Sequence, residues 1–256
     1  MCTATWVMTE NGYDLLFNRD VQRTRGIARP PEIRVERGVR YIAPVDTDHG
    51  GTWLGVNEFG LAVGLVNHYP AGQAPADEDS DGMMSRGHRV RSLLTCATKE
   101  EVLTRCAQEQ TGRYRPFILL VIEPGSKAAT LTWDGTGAGV VREPVRPPVT
   151  TSSFRTLDVI EHRRRFFERM TAGQETISLD LLAAYHASHD PEAGPFSVCL
   201  HRPDAKTVSF SHIRVDAGTV LFRYWEGSPC QAEPVRSTSL QRIGRSCRIR
   251  ETRRVG

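Results

Sequence analysis

Two runs of alternating β-branched and aromatic residues, Thr3–Thr9 and Tyr13–Arg19, flank Asn11-Gly12, the dipeptide most characteristic of a tight hairpin. Trp53–Val56 and Leu61–Asn67 flank Asn57-Glu58-Phe59-Gly60 in the same manner. Between these pairs, Arg29-Pro30-Pro31 and His49-Gly50-Gly51 read as loops; after the second pair, Asp77–Asp81 reads as an acidic, turn-rich connector. After Gly82 the apolar spacing becomes helical. Val90, Leu93, Leu94 and Ala97 share one face, and a second helix opens at Lys99-Glu100-Glu101 with Val102, Leu103 and Cys106 inward. Strands are predicted at Phe117–Ile122 and Thr130–Trp133, with Pro144–Pro148 as a loop or strand entry. Helices follow at Thr156–Met170 and Ile177–His186, then strands at Phe196–His201, Val208–Ile213 and Val220–Tyr224. This order suits an α+β domain in which two antiparallel sheets stack with helices outside, a four-layer αββα sandwich. A two-domain α+β arrangement is the alternative.

Composition narrows the class. The chain has 256 residues, 39% hydrophobic and 25% charged, enough to bury one sizeable core. No apolar run approaches the roughly 18 residues of a membrane span. The first residues lack the basic and apolar regions of a signal peptide, so a cytoplasmic location is expected. The net charge of +3 is unevenly placed. Residues 236–256 hold seven arginines against Glu251, a net of +6, which leaves −3 for the first 235 residues. The division expected is a single domain over 1–235 and a flexible arginine-rich tail over 236–256. Such a tail could attract nucleic acid or an anionic membrane. It has no interleaved aromatic residue for base stacking, so neither partner is expected. A homo-oligomer is compatible with everything above.

The six cysteines contain no Cys-x-x-Cys pair, and no histidine stands beside them at local ligand spacing, so no metal site is expected. Cys96, Cys106 and Cys199 read as small buried hydrophobes. His68 reads as a hydrogen-bonded strand histidine, and His162, His186, His189, His201 and His212 as scattered. The Gly135-x-Gly137-x-Gly139 run precedes a strand rather than a helix, which argues against a phosphate cradle. No cofactor is expected.

Cys2 is different. Removal of Met1 would put a thiol and a free α-amine on one residue, and that amine, with an ordinary pKa of about 7.7–8.0, can act as base for its own thiol. Counting back across Asn11-Gly12 brings Arg19 to the same end of the hairpin as Cys2, where its charge would favour the thiolate. Asp20 could orient Arg19 or the amine.

Met1-Cys2-Thr3, Asn18-Arg19-Asp20, the Gly50–Asn57 segment, Gly60-Leu61-Ala62 leading to Asn67, and Ser85-Arg86-Gly87 opening a helix together resemble the NRDE proteins, the transport and Golgi organisation family. The Asn57–Asn67 segment is more distantly similar to choloylglycine hydrolases and penicillin V acylases. The likeness is specific over about residues 1–95. It implies the N-terminal-nucleophile hydrolase fold, with Cys2 as nucleophile, Arg19 tuning the thiolate or holding substrate, and Asn67 in the oxyanion hole. Gly50, Gly51 and Trp53 read as a structural turn beside the site. Val21 stands where the family motif has Glu, and Gln22 where acylases have Asp, so either Asp20 substitutes or that role is absent. The second oxyanion asparagine is replaced by Thr150-Thr151-Ser152-Ser153, with Ser152 or Ser153 as the substitute donor.

The function implied is cleavage of a linear amide C–N bond through a thioester at Cys2, on a small acylated substrate. The alternative is a carrier of lipid, acyl-CoA or haem that keeps the fold without the chemistry. Pocket walls are expected from Pro70–Met84 and Gly135–Pro148.

Overall fold

The computed structural model describes residues 1–69, 82–108, 111–136, 138–231 and 236–244. The opening hairpin forms as its turn dictates: β1 (Cys2–Thr9) and β2 (Gly12–Gln22) pair antiparallel from Thr9↔Gly12 to Cys2↔Arg19. Around them grows a six-stranded sheet, in the order β10 (Val149–Thr151), β1, β2, β11 (Ala205–Val215), β12 (Thr219–Glu226) and β13 (Arg236–Gln241). The second sheet runs in sequence order through seven strands. These are β3 (Arg29–Glu36), β4 (Val39–Val45), β5 (Leu54–Asn57), β6 (Ala62–Asn67), β7 (Phe117–Ile122), β8 (Ala129–Trp133) and β9 (Val140–Arg142).

Period-2 alternation decides how the sheets stack. Ala4, Trp6, Leu15 and Phe17 from the first sheet meet Leu54, Val56, Leu120 and Ile122 from the second in one apolar core. The outer face of the seven-stranded sheet, with Val63 and Leu119, is covered by α1 (Arg86–Leu93) and α2 (Lys99–Gln108). The outer face of the six-stranded sheet, with Leu16 and Phe210, is covered by α3 (Thr156–Thr171) and α4 (Leu179–Ala187). This is the four-layer αββα sandwich expected from the pattern. Helix starts follow local chemistry: the Ser85 side chain accepts from Gly87 N–H and that of Ser178 from Leu181 N–H.

Several elements differ from the sequence reading. Arg29-Pro30-Pro31, expected as a loop, starts β3, an edge strand of the seven-stranded sheet where missing N–H groups are tolerated. Arg37-Gly38, both at positive φ, turns β3 into β4. Phe196–His201 is not a strand. Beside β2 the sheet position is taken by β11, and the segment has only a single bridge, His201↔Lys206. Its Val198 instead packs against α4, while Leu200 packs against Met1 and Ala205.

The supposed tail contributes β13 over its first six residues. This strand pairs with β12, Leu240 is buried in the inter-sheet core, and the Arg242 guanidinium donates to the carbonyls of Asn11 and Asp216. The packed sheet therefore runs past residue 235. Residues 245–256, the Asp77–Asp81 connector and Cys247 lie outside the described residues.

Candidate active site at the end of the opening hairpin

Residues directly opposite on antiparallel strands share a face. Cys2 pairs with Arg19 of β2 on one side and with Thr151 of β10 on the other, so these three form a row on the inner face at the sheet's end. Cys2 and Arg19 line a cavity of about 260 Å³ that also takes in Asp20, Asp46, Trp53 and Asn67. All four residues singled out from the sequence as catalytic candidates (Cys2, Arg19, Asp20 and Asn67) line it.

Their individual environments differ from expectation. The Arg19 guanidinium lies 3.8 Å from the centroid of the Trp53 ring and 3.1 Å from Asp46 Oδ2. Asp46 Oδ2 also accepts from Arg25 at 2.7 Å. Arg19 is thus clamped between an aromatic face and a carboxylate. Despite burial, hydrogen bonding and charge from Arg25, with the Arg19 charge, hold the Asp46 carboxyl below its ordinary range. Burial pushes the Cys2 thiol up. The terminal ammonium pulls it back, and Arg19 adds only a smaller pull, so the resting thiol lies above its ordinary pKa. Arg19 pulls the thiol in the expected direction, but burial outweighs that pull.

Asp20 stands on the other face of β2, one residue on from Arg19 in a strand that alternates. It does not orient Arg19. Its Oδ1 accepts from Thr207 Oγ1 at 2.6 Å, while Oδ2 lies 4.0 Å from an Arg163 nitrogen and has no hydrogen-bond partner. Burial raises its carboxyl, against the Arg163 charge. Asn67, the last residue of β6, donates to Tyr69 Oη at 3.3 Å, and Tyr69 Oη also accepts from the Met1 ammonium at 3.4 Å. Burial disfavours that ammonium, yet Tyr69, Cys2 and Asp20 together hold its pKa above the ordinary value.

Met1 is buried against Leu200 and Ala205, with its sulfur 3.1 Å from Ser153 Oγ and 3.9 Å from Ser152 Oγ. The serines expected to replace the second oxyanion asparagine therefore face Met1. The hydroxyl beside Cys2 is that of Thr151, whose buried Oγ1 has no hydrogen-bond partner. Of the expected pocket walls, Gly82, Met83 and Met84 line the cavity, whereas Gly135–Pro148 contributes none of its lining among the described residues.

Below the row, Arg163 of α3 is 1% exposed and reaches through the outer face to Thr3 Oγ1, Thr150 Oγ1 and the carbonyls of Phe196 and Ser197. Beside it, His186 of α4 bridges Thr5 Oγ1 and Asn18 Oδ1, both at 2.9 Å. Burial, with the neighbouring Arg163 charge, pushes its imidazole down to about 3, so it is neutral. Sequence reasoning missed Asp46, Tyr69 and Arg163. Nothing local marks Asp46 or Tyr69. Arg163 had a signal, since it falls on the apolar stripe of α3 with Val159 and Phe167 inside a run otherwise rich in solvated arginines.

One further arrangement is the work of the tertiary fold. His189, Cys199, His201 and Cys230, from three chain segments, bring their donor atoms within 4.8 Å of one another. The expectation of no metal site rested on spacing along the chain; Cys199-x-His201 is a local pair, and the fold brings His189 and Cys230 to it.

Residues 1–190 match the model of the family described as Transport and Golgi organisation 2. The chain belongs to this family. Solved structures extend the likeness to the fold of this family member. Penicillin V acylase from Agrobacterium tumefaciens is similar at a TM-score of 0.53 and 14% identity, over 94% of this chain and 86% of the acylase. The C2A mutant of conjugated bile acid hydrolase from Clostridium perfringens is similar at 0.55 and 10%, over 94% and 92%. A Caenorhabditis elegans N-acylethanolamine-hydrolyzing acid amidase ortholog is similar at 0.52 and 11%, over 82% and 92%. No curated protein sequence matches the chain. At these identities the likeness concerns the fold. No helix among the described residues is long and apolar enough to cross a membrane.

Proposed function

We propose that this family member is a cysteine N-terminal-nucleophile hydrolase that cleaves a linear amide bond after Met1 is removed. The observation that carries the reading is the row Thr151–Cys2–Arg19, in which a thiol and a clamped guanidinium that line a cavity stand beside a buried hydroxyl without a partner. The freed α-amine takes the Cys2 thiol proton, and the sulfur attacks the carbonyl carbon. Thr151 Oγ1 and Asn67 Nδ2 donate to the oxyanion, where one positioned donor contributes about 2.7–4 kcal/mol. The tetrahedral adduct collapses with the C–N bond, and the amine's proton leaves with the nitrogen. Water, deprotonated by the same amine, then attacks the thioester and releases a carboxylic acid, which restores the thiol. Asp20, with its unmatched Oδ2, supports the ammonium formed during each half of the cycle.

The thiol raised by burial fits this scheme, because proton transfer to the amine is coupled to attack and needs no standing thiolate. Arg19, Arg25, Arg86 and Arg115 line the cavity against Asp20 and Asp46, a balance that suits an acyl substrate bearing an anionic or strongly polar group.

A second reading has its own observation. With Met1 present, the terminal amine belongs to Met1 and hydrogen-bonds Tyr69, so Cys2 has no base of its own. In that form the cationic cavity suits a carrier of an anionic acyl or lipid ligand. Intact-mass measurement of the purified protein, combined with turnover of carboxylate-bearing N-acyl amides, separates the two. Loss of Met1 with thioester trapping at Cys2 is the expected result. Retained Met1 with no turnover, and ligand binding undiminished in Cys2→Ala, would replace the hydrolase reading with the carrier.

A further inference from the structure

Away from the cavity, the segments after α4, before β11 and after β12 converge at one corner of the six-stranded sheet. Each is anchored by hydrogen bonds to backbone carbonyls of a neighbouring segment. Cys199 N–H donates to Ser188 O at 3.0 Å, Gly227 N–H to Val208 O at 2.8 Å, and Ser228 Oγ to Thr207 O at 2.8 Å. These bonds deliver two thiols and two imidazoles to the same point, with all donor atoms within 4.8 Å of each other. His201 Nε2 lies 3.5 Å from Cys199 Sγ and 3.4 Å from Cys230 Sγ. The rings of His189 and His201 meet edge to face with centroids 5.0 Å apart, and His189 Nε2 is buried with no hydrogen-bond partner.

We infer that His189, Cys199, His201 and Cys230 form a structural zinc site. The distances fit the ion. With Zn–S of about 2.3 Å and Zn–N of about 2.0–2.1 Å, the sulfur-to-nitrogen edge of a tetrahedron is about 3.5 Å. Two thiolates and two imidazoles match the borderline softness of zinc and not the oxygen preference of magnesium or calcium. Four protein ligands close the coordination sphere, so the role is structural rather than catalytic. On binding, the two thiols release their protons and the pair of thiolates balances the dication.

The site would clip the wall of the cavity in place. Leu200, between two of the ligands, packs on Met1, and its N–H donates to Thr207 Oγ1 at 2.8 Å. The same Thr207 hydroxyl donates to Asp20 at 2.6 Å. One metal would therefore fix the end of α4, the lead-in to β11 and the turn after β12 beneath the proposed nucleophile.

The test is metal binding by the full-length protein, kept reduced and titrated with Zn2+ against a chromophoric chelator, with Co2+ as spectroscopic replacement. We expect one ion per chain, a thiolate-to-cobalt charge-transfer band with tetrahedral visible bands, and full retention of both in Cys2→Ala. Cys230→Ser, in a partly exposed turn, should weaken zinc by more than about 100-fold, beyond the 10–100-fold range of outer-shell changes, and abolish the charge-transfer band. His189→Gln serves as the second variant should Cys230→Ser fold poorly. Wild-type affinity equal to that of either variant, or affinity lost in Cys2→Ala, would overturn the assignment. So would an isolated protein two hydrogens lighter through a Cys199–Cys230 disulfide.

Discussion

The two faces of the β1–β2 hairpin at its open end carry polar side chains of similar kinds and put them to different uses. On the inner face, Cys2 and Arg19 line a cavity, and the hydroxyl of Thr151 beside Cys2 is left without a partner. On the outer face, one step out of phase, Thr3, Asn18 and Thr150 are tied to Arg163 and His186 beneath α3 and α4. Buried polar groups with partners stabilise one arrangement, whereas those held without partners keep hydrogen-bonding capacity for a ligand. On the proposed reading the chemistry belongs to the inner face and, Asp20 apart, the outer face supports it.

That division can be broken in several ways. The largest effect belongs to Cys2→Ala, which should remove turnover and covalent labelling entirely while leaving the unfolding midpoint near wild type. Hydrolysis at a comparable rate would end the inner-face assignment. Arg163→Met should do the reverse. It strips the outer network of its central cation and takes from buried Asp20 the larger of its counter-charges, for a loss of about 3–5 kcal/mol in denaturant unfolding. A loss under about 1 kcal/mol would show that the outer network is not the support.

Thr151→Val keeps the shape and deletes the hydroxyl. Turnover should fall by about 10²–10³, with thioester labelling slowed and stability unchanged. Equal stability loss and undiminished turnover would return the oxyanion role to another donor. Shortening the chain after Val235 tests the boundary of the packed sheet. It removes β13 and the buried Leu240, and a core leucine alone is worth about 2–5 kcal/mol, so the midpoint should fall.

The last test is of pH dependence. His186 is held at about 3, below its ordinary 6.5, so the folded state binds fewer protons than the unfolded one between those values. Its contribution to stability is complete above about pH 6.5 and declines as pH falls toward 3. Chemical denaturation across that window should show the decline, and His186→Gln should flatten it.

The layer order was legible in the chain because period-2 and helical spacing are local properties, and Asn11-Gly12 fixed the register that puts Arg19 opposite Cys2. The β3–β4 hairpin was obscured by Pro30-Pro31, which an edge strand tolerates and a central strand would not. The strand predicted at Phe196–His201 failed because an apolar run says that a segment is buried, not what it pairs with. Arginine content similarly hid β13, whose alternation is weak and whose place depends on β12.

By itself, then, the sequence determined the sandwich, the hairpin that presents Cys2, and the family to which the chain belongs. Only the tertiary structure decided which groups meet at the site. Asp46 and Trp53 clamp Arg19 from the 46–53 segment, Thr151 arrives on a strand almost 150 residues away, and Asp20 turns to the opposite face from Arg19. The same holds for His189, Cys199, His201 and Cys230. Local spacing encodes the phase of one helix or strand, whereas a site is a property of strand register and of how layers stack. Those are set by the sum of many contacts rather than by any residue's neighbours in the chain.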